Sequence, residues 1–161
     1  MATLSKLTPC LWFDTNGEEA ANFYVSIFKN SSVTEVTHYG SAGPLEEGTA
    51  MTVSFELDGQ KFVALNGGSG GDFHFNESIS FMVDCEDQAE VDYFWDALSD
   101  GGEQGPCGWL RDRYGVSWQI IPRRLNELVG GDDAEASQRA MAAMLTMKKI
   151  VVADLEAAYA G

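Results

Sequence analysis

Apolar and polar positions along the chain alternate between two periods, and the switches between them predict the elements. Leu7–Phe13 is a short apolar run, bounded by Pro9 within it and Asp14-Thr15-Asn16-Gly17 after it, that reads as a strand entering a helix cap. Asn16 and Glu19 have the spacing of a capping box. Ala20, Phe23, Tyr24, Ile27 and Phe28 then recur at i, i+3, i+4, i+7 and i+8, which predicts one apolar helix face. Three strand candidates follow, Val33–Tyr39, Ala50–Leu57 and Lys61–Leu65, and Asp58-Gly59 joins the last two as a tight hairpin.

The same order begins again at Ile79–Val83, a strand. Asp87 and Glu90 take the cap spacing, and Val91, Phe94, Trp95 and Leu98 repeat the helical stripe. Asp87, Glu90, Phe94, Trp95 and Leu98 each lie 71 positions after Asn16, Glu19, Phe23, Tyr24 and Ile27. Cys107–Arg111 and Val116–Ile121 follow as strands around an Asp112-Arg113-Tyr114-Gly115 turn. The chain therefore reads as a duplicated βαβββ unit. The modules span about residues 5–68 and 76–125 of one domain over residues 1–125, and residues 67–72, rich in glycine, join them. That glycine run lacks the Gly-Lys-Ser/Thr and following helix of a phosphate loop, so a flexible connection is the reading.

Residues 126–161 form a helical tail. Ala134–Met147 places Ala140, Met141, Met144 and Leu145 on one face, and Asp154 caps a last helix carrying Leu155 and Tyr159. The three tail methionines fit ordinary core or an adaptable dimer surface.

Composition narrows the partners. The formal charge of −15, from 10 basic and 25 acidic residues, would repel a nucleic-acid backbone or an anionic membrane. It leaves neutral and cationic small molecules. Cys10, Cys85 and Cys107 are too scattered for a disulfide framework or a zinc knuckle, and the plain reading is reduced thiols in a cytoplasmic protein. Residues 1–6 hold no apolar run of signal-peptide kind, and no stretch approaches the length of a membrane span.

The ordered set of segments carries a resemblance. The tandem modules, with Leu7–Phe13, Phe62-Val63-Ala64-Leu65-Asn66-Gly67-Gly68, Ile79–Asp84, Gly108-Trp109-Leu110 and Asp112–Ile120, resemble the vicinal-oxygen-chelate superfamily of glyoxalases, bleomycin-resistance proteins and dioxygenases. More narrowly they are similar to its PhnB-like branch, labelled 3-demethylubiquinone-9 3-methyltransferase-like. The resemblance implies an α+β fold whose module strands curl into a cup around a cavity, and a homodimer. Metal-dependent members carry His and Glu on the first and last strands of each module. Those positions fall near Pro9, Ala64, Ser78 and Gln119 here, and a slip of one residue would bring in Cys10 or Glu77. None of these alignments yields an imidazole and carboxylate set, so no metal and no cofactor are expected.

On that pattern Pro9, Leu11 and Phe13 face the cavity while Cys10 and Trp12 pack beneath the helix. Ser78, Ser80 and Met82, and Ser117, Gln119 and Ile121, face it from the second module. The candidate ligand-binding residues are Gln119, Asn66, Ser80, Phe13, Leu11 and Trp109, on a wall that is apolar with a few aimed polar groups. Gln119 equally suits a structural hydrogen bond and Asn66 a turn. Trp12, Trp109 and Trp118 suit either a stacked flat ligand or core. The catalytic candidates are His74 with Glu77 as a general base, and Cys107 as a thiolate; an edge-strand histidine and a small buried cysteine are the plain alternatives. His38 ranks below them, and Glu46-Glu47 reads as a solvated loop. Function is left between a metal-free small-molecule pocket, a sequestering protein of bleomycin-resistance type, a metal-dependent glyoxalase or dioxygenase, a methyltransferase by family label, and an interaction module whose cavity its own side chains fill.

Overall fold

The computed structural model describes residues 5–161, so Met1–Leu4, part of the stretch read for a targeting signal, lies outside them. The chain divides into two compact units, Met1–Asp72 and Phe73–Gly161. In the first, strand β1 (Cys10–Phe13), helix α1 (Gly17–Ile27) and strands β2 (Ser32–His38), β3 (Ala50–Leu57) and β4 (Gln60–Asn66) follow in order. In the second, β5 (Ser80–Cys85), α2 (Gln88–Ser99), β6 (Glu103–Gln104), β7 (Trp109–Arg111) and β8 (Ser117–Pro122) repeat it. The strand orders are β1-β4-β3-β2 and β5-β8-β7-β6, with one parallel pair in each sheet, β1 with β4 and β5 with β8. The repeat read from helix landmarks is thus a repeat of topology.

Each helix covers one face of its own sheet. In α1 the buried set is Gly17, Ala20, Ala21, Tyr24 and Ile27, and Tyr24 stacks on Phe55, which stacks on Phe62 at a centroid distance of 5.4 Å. In α2, Val91, Trp95 and Leu98 are buried. Ile27, Val91 and Leu98 each contribute about 1.5–3 kcal/mol by leaving water, so a few such positions hold helix to sheet.

The Asn16 capping box does not form. Asn16 makes no side-chain cap bond, and the Gly17 N–H is instead met by Asn66 Oδ1 at 2.7 Å, reaching across from β4. A Cβ on Gly17 would lie 2.7 Å from that oxygen, so only glycine admits the contact. The equivalent cap in α2 forms as its spacing predicts, with Asp87 accepting from the Glu90 N–H at 3.0 Å. Asp58 and Gly59 both take positive φ, 47° and 82°, the geometry of the tight turn joining β3 to β4.

The tail belongs to the second unit and forms three helices, α3 (Arg123–Val129), α4 (Ala134–Met144) and α5 (Val152–Ala160). Leu125, Leu128, Ala140, Ile150 and Leu155 pack with Ile121 of β8, so Ile121 serves the tail's core and not an open wall. Leu145 lies past the end of α4 and is exposed, because the buried line of that helix runs through Ala136, Ser137 and Ala140. Asp154 sits in the first turn of α5, where Val151 holds the cap position. Gln88 locks the tail to α2: its Nε2 donates to Ile150 O at 2.9 Å and its Oε1 accepts from Val152 N–H at 2.8 Å.

Candidate functional site

Strand register decides which side chains share the face opposite each helix. In the first unit Leu11 pairs with Ala64 and Phe13 with Asn66. Ala64 Cβ lies beside Gly17 at the start of α1, so Leu11 and Phe13 occupy the helix side and are buried. This corrects the expected assignment of these two residues to a cavity wall. Cys10 and Trp12 take the open face, and Trp12 Nε1 donates to Gly68 O at 3.0 Å. The reversal has a simple cause: a one-residue shift of register exchanges the two faces of a strand. Asn66 is buried with them, its Nδ2 donating to Ala50 O at 3.0 Å while its Oδ1 caps α1. Both ends of its carboxamide hold the module together.

In the second unit the register places Ser80 across from Ser117, Met82 across from Gln119, and Gln119 across from Trp109. Phe81 packs at a tilt against Trp118 on the other side, with Val83 and Cys85 buried alongside. Gln119 Nε2 donates to Ser80 Oγ at 2.9 Å, joining two of the candidate residues, and Met82 is exposed. At the β6–β7–β8 end of this face lies a cavity of about 320 Å³, bordered by Glu77, Glu103, Pro106, Trp109, Leu110, Arg111 and Ser117. That volume lies at the small end of ligand sites.

Ser117 is the unusual member. It is 2% exposed, and its Oγ has no hydrogen-bond partner. Native interiors seldom leave a hydroxyl in this state, because it loses water without a replacement. Its position is imposed by the turn before it. Asp112 Oδ1 accepts from the Tyr114 and Val116 N–H groups at 2.8 and 3.1 Å, and Oδ2 accepts from Trp118 Nε1 at 2.8 Å. The buried Asp112 carboxylate therefore fixes both residues that flank Ser117. Sequence reading took Asp112 for a turn former and missed this bracing; the Trp118 spacing was the available sign.

Arg111 stands directly across from Ser117 and is hydrogen-bonded to Glu103, which holds the guanidinium pKa above its ordinary value. Glu77 acts on Arg111 through space alone. Among the catalytic candidates, Glu77 borders the cavity whereas His74 lies exposed before it and is not one of the bordering residues. Cys107 is half-buried with φ 56°, and its N–H donates to Met147 O at 2.8 Å, as the Gly108 N–H does to Lys148 O at 2.8 Å. The tail thereby braces the loop that carries Pro106. His38 ends β2 as an exposed residue. Burial beside Glu90, Asp84 and Asp87 pushes the Cys85 thiol up to about 12, and partial burial raises that of Cys10.

Among the described residues, no group of three or more His, Cys, Asp or Glu side chains could hold a metal ion. Among the described residues no helix is long and apolar enough to cross a membrane.

The model of one protein family, 3-demethylubiquinone-9 3-methyltransferase, matches residues 5–121. The PhnB protein from Bacillus cereus is 34% identical, with a TM-score of 0.66 over 73% of this chain and 99% of that one. Protein PA1353 from Pseudomonas aeruginosa has the same fold at 19% identity, with a TM-score of 0.63 over 74% of this chain and 98% of its own. No curated protein matches the chain. With the tandem βαβββ topology, these matches establish that the chain belongs to the 3-demethylubiquinone-9 3-methyltransferase-like family, which includes the PhnB protein.

Proposed function

We propose that the protein binds a small molecule without a metal ion, in the cavity of the second module between Trp109, Arg111 and Ser117. The observation that carries this reading is the unpartnered Ser117 hydroxyl beside an otherwise apolar floor. A buried hydroxyl without a partner costs free energy in the empty protein, and a ligand atom able to bond it recovers that cost. Trp109, Pro106 and Leu110 supply the apolar wall, and Gln119, held by Ser80, lies next to Trp109 in the sheet. The metal-free reading is supported by Pro9, Ala64, Ser78 and Gln119 at the positions where metal-dependent members carry His and Glu, since these side chains are poor ligands for a catalytic divalent ion. Methyl transfer has the family description as its support.

Native mass spectrometry with elemental analysis of the purified protein tests the reading. A bound small molecule, with amide shifts at Trp109 and Ser117 when it is added back to stripped protein, is the expected result. A stoichiometric divalent metal would overturn the metal-free site. A rise in melting temperature with S-adenosylmethionine, accompanied by shifts of the same amides, would move the reading to methyl transfer. The same spectra report the oligomeric state. A homodimer is our expectation, supported by the exposed apolar side chains of Trp12, Ile79 and Met82.

A further inference from the structure

The charges around the cavity go further than its shape. Resting on the binding site proposed above, we infer that it selects a cationic, flat apolar molecule, an arylalkylamine or amidine, with its positive group at Glu77 and its ring against Trp109. Two carboxylates, Glu77 and Glu103, and one guanidinium, Arg111, border the space. Glu103 is spent on Arg111 through a direct ion pair, while Glu77 reaches Arg111 only through space. One negative charge is therefore left over at the rim. The chain's formal charge of −15 adds a field of the same sign.

The remaining lining suits the rest of such a molecule. The half-buried Trp109 indole offers a face to a flat ring and to a nearby cation, and Pro106 extends the apolar wall. The Ser117 hydroxyl is buried and unpartnered, so it can receive or give one hydrogen bond at the floor. An anion would meet the uncompensated Glu77, and the one cation available to it is already paired. Glu103 thus acts as a specificity determinant by masking Arg111.

The test uses three probes on one ring, 1-naphthylmethylamine, 1-naphthalenemethanol and 1-naphthoate, titrated into the full chain at pH 7 and followed by amide shifts. The amine is expected to bind at least tenfold more tightly than the alcohol, with the naphthoate weakest, and to lose most of that advantage at 0.5 M salt or in Glu77→Gln. Glu77 is exposed, so that variant retains the fold, which its spectrum verifies. Glu156→Gln, on α5, serves as the control for general attraction to an acidic protein and should leave the preference intact. Glu103→Gln should unmask Arg111 and bring naphthoate binding up to that of the alcohol or beyond. Equal binding of all three probes at Trp109 and Ser117 would overturn the charge inference and leave the site standing. Equal loss of the amine preference in Glu156→Gln would overturn it as well. Absence of shifts at Trp109 and Ser117 with every probe at millimolar concentration would overturn the site itself, and the inference with it.

Discussion

Replacing Ser117 by alanine should stabilise the ligand-free protein. The Ser117 side chain is almost wholly buried at the border of the cavity, and its Oγ is unpartnered. A buried hydroxyl in this state costs about 1–3 kcal/mol, and alanine removes the oxygen while keeping the Cβ that fills the space. Part of the gain returns as a small void, so about 1 kcal/mol net is expected. For a chain of this size that is roughly 2–4 °C in melting temperature. Thermal and urea unfolding followed by circular dichroism would read it, with the midpoint moving and the m-value unchanged. Ser137 supplies the internal comparison. It is also buried, at 5% exposure, yet its Oγ donates to Gly131 O at 3.3 Å. Ser137→Ala should therefore destabilise by roughly 0.5–1.5 kcal/mol. If both substitutions lower the midpoint, the Ser117 hydroxyl is serving the fold and the argument for a ligand there collapses. If Ser117→Ala raises it, binding of the cognate small molecule should weaken by up to about tenfold, the worth of one hydrogen bond.

Three further outcomes follow from contacts elsewhere. Asn66→Ala removes the acceptor for the Gly17 N–H and the donor to Ala50 O, and should cost about 2–4 kcal/mol in equilibrium unfolding, since both partners are left without their bond; a loss under 1 kcal/mol would show that water replaces the carboxamide. Gln88→Ala should free the tail locally, raising amide exchange at Val152 by roughly 30-fold from about 2 kcal/mol of lost bonds, and uniform exchange across α4 and α5 would contradict it. Because folding raises the Cys85 pKa, its contribution to stability is whole below about pH 9 and is lost as pH climbs toward about 12. In native protein at pH 8 a thiol reagent should modify the exposed Cys10 and spare Cys85, and equal labelling of the two would refute that ordering.

Most of the architecture was legible because it is written in short-range patterns. The 71-residue offset between the two helix stripes announced a duplicated module, and the identical strand orders of the two sheets follow it. Asp58-Gly59 marked its hairpin, since few other pairs tolerate two positive φ values in succession. The spacing of Asp87 and Glu90 marked a cap that forms. The PhnB-like family also lay within reach of the sequence, through an ordered set of segments and no single motif.

What the tertiary structure decided are the contacts between distant positions. Alternation along β1 separates Leu11 and Phe13 from Cys10 and Trp12, but pairing with β4 determines which set meets α1, and it is the first. Asn16 had the local form of a cap, yet an oxygen 49 residues away took the Gly17 N–H, an acceptor no local window contains. β6 is two residues long and α3 has only seven, too short for a periodic signal, and both are held by neighbours in space. The cavity is the furthest from the sequence. Glu103, Arg111 and Ser117 come together because β6, β7 and β8 pair in one register, Glu77 joins them from the segment before β5, and the orphaned state of the Ser117 hydroxyl depends on everything that surrounds it. Local patterns are properties of consecutive residues, whereas satisfaction and burial of a polar atom are properties of its whole environment.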